Sequence, residues 1–134
     1  MKLIKPFKFF SIEELCHTNT GLNNVPDIKT IYNLSLLINY VLDPTRIEFK
    51  QVIKVNSGYR SKLVNEAVKG AINSQHLIGQ AADLTAGSKE ENKKLFEVIK
   101  AFGTFDQLIN EQGYQWIHVS YSDVHNRKQI LSIK

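Results

Sequence analysis

The sequence predicts an α+β fold, a small antiparallel sheet with flanking helices, from three observations. Helical apolar spacing dominates the first half of the chain. Short β-branched or alternating runs dominate the second, and turn residues separate nearly every segment. With 134 residues, 43% of them hydrophobic and 22% charged, the chain is expected to be a single domain spanning residues 1–134 with its own core.

Residues 27–42 carry Ile28, Ile31, Leu34, Ile38, Val41 and Leu42 on one helical stripe, opened by Pro26 and closed by Pro44. Residues 51–56 read as a strand through Val52, Ile53 and Val55, and Ser57 and Gly58 then turn the chain. Ser61 can cap a short helix that ends at Gly70. Residues 81–85 form a short strand, and Ser88 with Glu91 makes a capping box for a helix ending near Gly103. Residues 105–111 and 116–121 alternate like two strands of a hairpin around Gly113. With 112–115 as its loop, Glu111 pairs with Trp116 and Ile109 with His118. Residues 128–133 add an edge strand. There is no repeat, low-complexity tract or interdomain linker.

Several function classes recede on composition. The net charge of +4 and an isoelectric point near 9.2 invite a nucleic-acid reading. The lysines and arginines are scattered along the sequence, however, with no basic stripe or interleaved aromatic platform, so no nucleic-acid partner is expected. An anionic polymer fits the same charge. No apolar run reaches the roughly 18 residues of a membrane span. Pro6, Lys8, Glu13 and Glu14 interrupt any signal-peptide core after the basic start, so no secretion signal is read. Cys16 is the one cysteine and has no disulfide partner within the chain; beside Leu15 in a helical pattern it reads as a buried structural thiol rather than a nucleophile.

The chemistry-bearing residues fall in two segments, 74–83 (SQHLIGQAAD) and 111–118 (EQGYQWIH). Catalytic zinc takes three protein ligands and keeps a fourth position open. His76, Asp83 and His118 supply two imidazoles and one carboxylate, which leaves one positive charge to acidify water and polarise a carbonyl. Gly79 lets the chain turn between the first two, Ala81 and Ala82 permit close approach, and Asp83 projects from a strand. The hairpin register puts Glu111 on the face of His118 as a diagonal neighbour, about 7–8 Å away at the backbone, where a general base belongs. Arg60 follows the first strand, where its fork can hold a substrate carboxylate or a developing oxyanion. As residues alone, these read equally well as structural: a salt bridge for Arg60, a pocket wall for Trp116, and separate polar roles for the three ligand candidates. His17 and His125 read as ordinary core or surface histidines.

The stretches SGYRSKLVNEAVKG (57–70), NSQHLIGQAADL (73–84) and FDQLINEQGYQWIHVSY (105–121) resemble the zinc D-Ala-D-Ala carboxypeptidase family, including its phage endolysin members. The opening FSIEELCHTNTGLNNVP resembles the lead-in of the phage-type members. The resemblance implies the fold shared with the hedgehog signalling domain, one Zn2+ per chain held by His76, Asp83 and His118, and Arg60 as a substrate-positioning and catalytic arginine. It implies substrate contacts from Tyr59, Ser74 and Trp116 beside the ligands. It also implies a catalytic acid near the last histidine. Several carboxypeptidases keep that acid three residues before the histidine, where this chain has Gln115. The hedgehog-like and phage-type arrangement matches Glu111 instead, and Glu111 is the expected base. The implied activity is a zinc metallopeptidase acting on peptidoglycan stem peptides, as carboxypeptidase or endopeptidase. A non-catalytic zinc module that binds cell wall or protein is the alternative. With no secretion signal read, the expectation is a monomeric phage or prophage enzyme made in the cytoplasm and acting at the wall.

Overall fold

A computed structural model describes residues 2–134. A single turn, α1 (Ile12–Leu15), is capped by the Ser11 hydroxyl. Helix α2 (Ile28–Leu37), capped by Asp27, runs through a π-turn at Ile38–Leu42 into α3 (Asp43–Phe49). Strand β1 (Lys54–Ser57) is followed by α4 (Lys62–Ala67), capped by Ser61, and by a 3-10 turn at Gln75–Ile78. Strand β2 (Ala81–Thr85) leads into α5 (Lys89–Phe102), which Ser88 caps and Gly103 ends at φ +66°. Strands β3 (Gln107–Glu111), β4 (Trp116–Ser120) and β5 (Gln129–Ile133) complete the chain. No helix among the described residues is long and apolar enough to cross a membrane.

The strands form one sheet in the order β1-β2-β4-β3-β5. Side chains alternate between its faces, and residues paired across strands share a face. Leu84, Ile117, Val119 and Leu108 face a core completed by Leu34, Leu37, Ile38, Leu42, Leu95 and Ile99 from the helices. The register places Asp83, His118, Ile109 and Glu111 together on the opposite face. One face of the sheet is thus committed to packing, and the other carries the polar residues.

The hairpin register is the expected one, Glu111 opposite Trp116 and Ile109 opposite His118. Four strands are antiparallel neighbours, but β5 joins β3 in parallel. The reason is local. Strand β4 ends beside the start of β3, and the Asp106 carboxylate there captures Arg127 through its backbone N–H, Nε and Nη2. The Asp106 carbonyl also accepts from the Gln129 N–H, so the chain re-enters the sheet at the same end.

Pro44 does not close the long helix. Its missing N–H leaves the Tyr40 carbonyl without an i+4 donor, and the Thr104 hydroxyl takes that carbonyl at 3.3 Å while the π-turn absorbs the ring. Ile28 and Ile31 are exposed instead of lining the buried stripe. Their end of α2 meets the 3-10 turn through smaller or polar groups: Thr30 against Gly79, and Asn33 Nδ2 donating to the Ile78 carbonyl. The first strand begins only at Lys54, because its partner β2 ends at Thr85, opposite Lys54. Ser88 accepts from the Glu91 N–H, but the Glu91 carboxylate pairs with Lys94 and leaves the expected capping box half made.

The Arg127 hydrogen bonds, against opposing burial, hold the Asp106 carboxyl down at about 2. A carboxyl depressed on folding adds stability above its ordinary value near 3.8, and that stability is lost as pH falls through about 2. Arg127 is half exposed, so solvent screening limits the term to about 1–2 kcal/mol. Asp106→Asn is expected to lower stability at neutral pH by about that amount. It should also flatten the loss of stability between about pH 4 and pH 2 in denaturant titrations. An unchanged acid profile would remove Asp106 from this role.

Candidate metal centre

The site is assembled from backbone outward. A bulge in β1 between Val55 and Ser57 brings Ser57 opposite Asp83. Gly58 follows, and a Cβ there would stand 2.3 Å from the Leu15 carbonyl oxygen, so only glycine lets the end of α1 lie this close. The Tyr59 N–H donates to that same carbonyl at 2.7 Å. Buried Asn24 straps the arrangement: its Nδ2 donates to the Cys16 and Tyr59 carbonyls and its Oδ1 accepts from the Ser61 N–H. The Gly58 carbonyl is left free to accept from His76 Nδ1 at 2.6 Å.

His76 is delivered by the 3-10 turn. Ser74 accepts from the His76 N–H, and the Arg60 N–H donates to the His76 carbonyl. Gly79 then reverses the chain at φ +76°, pressed against the Thr30 carbonyl. Asp83 on β2 and His118 on β4 are direct cross-strand partners.

One ligand atom from each of His76, Asp83 and His118 lies within 4.8 Å of the others. Asp83 Oδ1 is 3.3 Å from His76 Nε2 and 3.0 Å from His118 Nδ1, while Oδ2 is 3.1 Å from Arg60 Nη2. A carbonyl only accepts, so the bond to Gly58 puts the His76 proton on Nδ1 and turns the Nε2 lone pair toward Asp83. In the neutral ring two acceptors then face each other at 3.3 Å, a contact made attractive by a cation shared between them or by a proton gained on Nε2. The donor set fits a divalent metal with one position open. Burial disfavours the charged form of Asp83, but the hydrogen bonds to His118 and His76 outweigh it and hold the carboxyl well below the usual range.

Glu111 stands outside the ligand set, half-buried on the face of His118. Burial raises its carboxyl above the ordinary glutamate value. The imidazoles of His118 and His76 pull it down and the Asp83 carboxylate pushes it up, so Glu111 feels the charge of all three. Its position is set by an unusual hairpin turn in which Gln112, Gly113 and Tyr114 all have positive φ. Asn110 Oδ1 accepts from the Tyr114 N–H, and buried Asn92 donates to the Tyr114 and Gln115 carbonyls. Gln115 itself is exposed in that turn.

A profile of the family Peptidase M15 matches residues 8–120. The chain belongs to the peptidase M15 family. A zinc D-Ala-D-Ala carboxypeptidase of Streptomyces albus G is 57% identical over 37 residues, which is 28% of this chain and 14% of the relative. The match thus spans about a seventh of that relative's length.

Among the residues singled out from the sequence, this M15 chain gathers His76, His118 and Arg60 around Asp83, with Glu111 on the same face. Trp116 is half-buried beside Glu111 on that face. Ser74 is a helix cap for the turn bearing His76. Tyr59 lines two clefts beside the site, one of about 200 Å3 shared with Arg60 and one of about 370 Å3 shared with Leu77 and Gln80. Cys16 is partly buried with its thiol pushed up to about 11 by burial, which fits a structural role rather than a nucleophile. His17 and His125 are exposed surface residues.

From the sequence Gly58 reads as a turn residue only, and Asn24 and Asn92 do not stand out at all. A glycine after a strand reads only as a turn, and a buried asparagine looks like a loop asparagine until its partners are known. Gly58→Ala tests the frame. The added methyl should force the Leu15 contact apart, destabilise the fold by about 1–3 kcal/mol, and break the His76 bond. Nitrogen-15 NMR should then show His76 losing its fixed Nδ1–H tautomer; an unshifted ring would mean that Gly58 does not set it.

Proposed function

We propose that this chain is a zinc-dependent peptidase that hydrolyses peptide bonds in bacterial peptidoglycan, as a D-Ala-D-Ala carboxypeptidase or as an endopeptidase of the stem or cross-link. The observation that carries the reading is the carboxylate of Glu111 on the same sheet face as a cluster of three candidate ligands, His76, Asp83 and His118. A purely structural zinc site would close its fourth position with another side chain and would have no use for that carboxylate. The family supports peptidase chemistry, and the Streptomyces relative's name supports zinc and a D-Ala-D-Ala substrate. A net charge of +4 suits action at an anionic cell wall.

In this reading His76, through Nε2, Asp83, through Oδ1, and His118, through Nδ1, would hold the zinc. When bound, zinc supplies a Lewis acid that acidifies water and polarises the scissile carbonyl. Glu111 accepts a proton from the attacking water at its carboxylate and returns it to the leaving amine. Arg60 has two N–H donors not spent within the protein, and these are available to a substrate carboxylate or carbonyl. Trp116, paired with Glu111, and Tyr59, next to Arg60 in the chain, are the aromatic residues offered to a substrate.

Protein purified without chelator is expected to carry about one zinc per chain, and His76→Ala, Asp83→Ala and His118→Ala each to lose it. Glu111→Gln should keep the zinc and the fold while wall-peptide cleavage, followed by mass spectrometry of the products, drops by about two to four orders of magnitude. Gln115→Ala, at the exposed turn, should matter far less. Parent-like cleavage by Glu111→Gln would refute the proposed base. A parent that binds zinc and wall but releases no peptide would make the chain a binding module.

A further inference from the structure

The guanidinium of Arg60 is committed on three sides before any substrate arrives. Nε donates to Ser57 Oγ at 2.9 Å, Nη1 to Asn65 Oδ1 at 3.3 Å, and Nη2 to Asp83 Oδ2 at 3.1 Å. The acceptors come from the bulged end of β1, from α4 and from β2, so the planar fork is fixed by three separate elements. Asn65 is itself buried and anchored, its Nδ2 donating to the Ala71 carbonyl. Gly70 seals the arrangement: a Cβ there would stand 2.0 Å from Asn65 Oδ1 and 2.9 Å from Arg60 Nη1.

The two oxygens of Asp83 are thereby divided. Oδ1 faces both imidazoles, and Oδ2 faces Arg60. An unrestrained carboxylate can rotate and offer either oxygen or both, whereas this one has a single orientation open to it. Ligand orientation of this kind is worth about 10–100-fold in metal affinity where it has been removed elsewhere.

We propose that Arg60 is a positioning residue for Asp83: by holding Oδ2, it presents Oδ1 alone to the metal, and Ser57, Asn65 and Gly70 exist at their positions to aim it. The inference rests on the zinc reading above, and it assigns to Arg60 an inward task distinct from any contact with substrate.

The test is zinc affinity, measured by chelator competition on folded protein, together with the absorption spectrum of the Co2+-substituted form. Arg60→Lys keeps the charge near the metal but cannot serve three acceptors from a fixed plane. It is expected to weaken zinc binding about 10–100-fold and to alter the Co2+ spectrum. Gly70→Ala, which touches no ligand, should shift both readouts in the same direction by displacing Asn65 and the guanidinium. A role confined to fold stability would lower the unfolding temperature of the metal-free protein and leave affinity and spectrum where they were. Wild-type affinity and spectrum in folded Arg60→Lys would overturn the proposal. If that variant does not fold, wild-type values in both Gly70→Ala and Ser57→Ala would do the same. A parent protein that binds no zinc at all would instead defeat the zinc reading, and this inference with it.

Discussion

A buried carboxylate is costly unless every oxygen is matched, and the site side of this molecule is organised around matching the two oxygens of Asp83. Its neighbours come from four places in the chain: Arg60 after β1, His76 on the 3-10 turn, His118 on β4, and Ser57 behind Arg60. Removing any one leaves a charge or a lone pair facing nothing. The sheet order follows the same need, since β2 must lie between β1 and β4 for Asp83 to reach Arg60 on one side and His118 on the other.

Arg60 and His76 reach that point from outside the strands, and main-chain groups hold their segments in place. The Gly58 carbonyl orients His76, the Leu15 carbonyl receives Tyr59, and asparagines at 24, 65 and 92 bridge segments that share no regular structure. Asparagine suits this work because its amide both donates and accepts, so one buried side chain satisfies two or three orphaned backbone groups. Glycine supplies the complementary property, close approach without a side chain, at Gly58 and Gly70. The resulting frame holds polar groups that would otherwise compete for one another's partners.

Stability and chemistry are separated across the sheet. The helical layer behind it is filled by leucine, isoleucine and phenylalanine, while the front face keeps the ionisable groups within a few ångströms of one another. The alternation of β-strands makes this separation possible, because His118 can face the site while Ile117 and Val119 on either side of it are buried in the core. The same alternation fixes Glu111 relative to His118 through the hairpin register.

Much of this was legible in residue order. The strand of Asp83, the hairpin pairing of Glu111 and His118, the caps at Ser61 and Ser88 and the stop at Gly103 are local events, decided within a few residues by propensity, capping and two-residue alternation. The three ligand candidates and Arg60 were legible as residue types at a spacing. Tertiary structure alone decided the rest. The parallel entry of β5 depends on Asp106 capturing Arg127, and the passage of the helix through Pro44 depends on Thr104 taking a carbonyl 64 residues away. The exposure of Ile28 and Ile31 depends on which face of α2 receives Gly79. The division of Asp83 between imidazoles and guanidinium depends on four segments meeting at one point. Each of these is a contact between residues distant in sequence, whose partners local pattern cannot supply, and burial then turns those contacts into requirements because an unmatched polar group inside the fold has no water to fall back on.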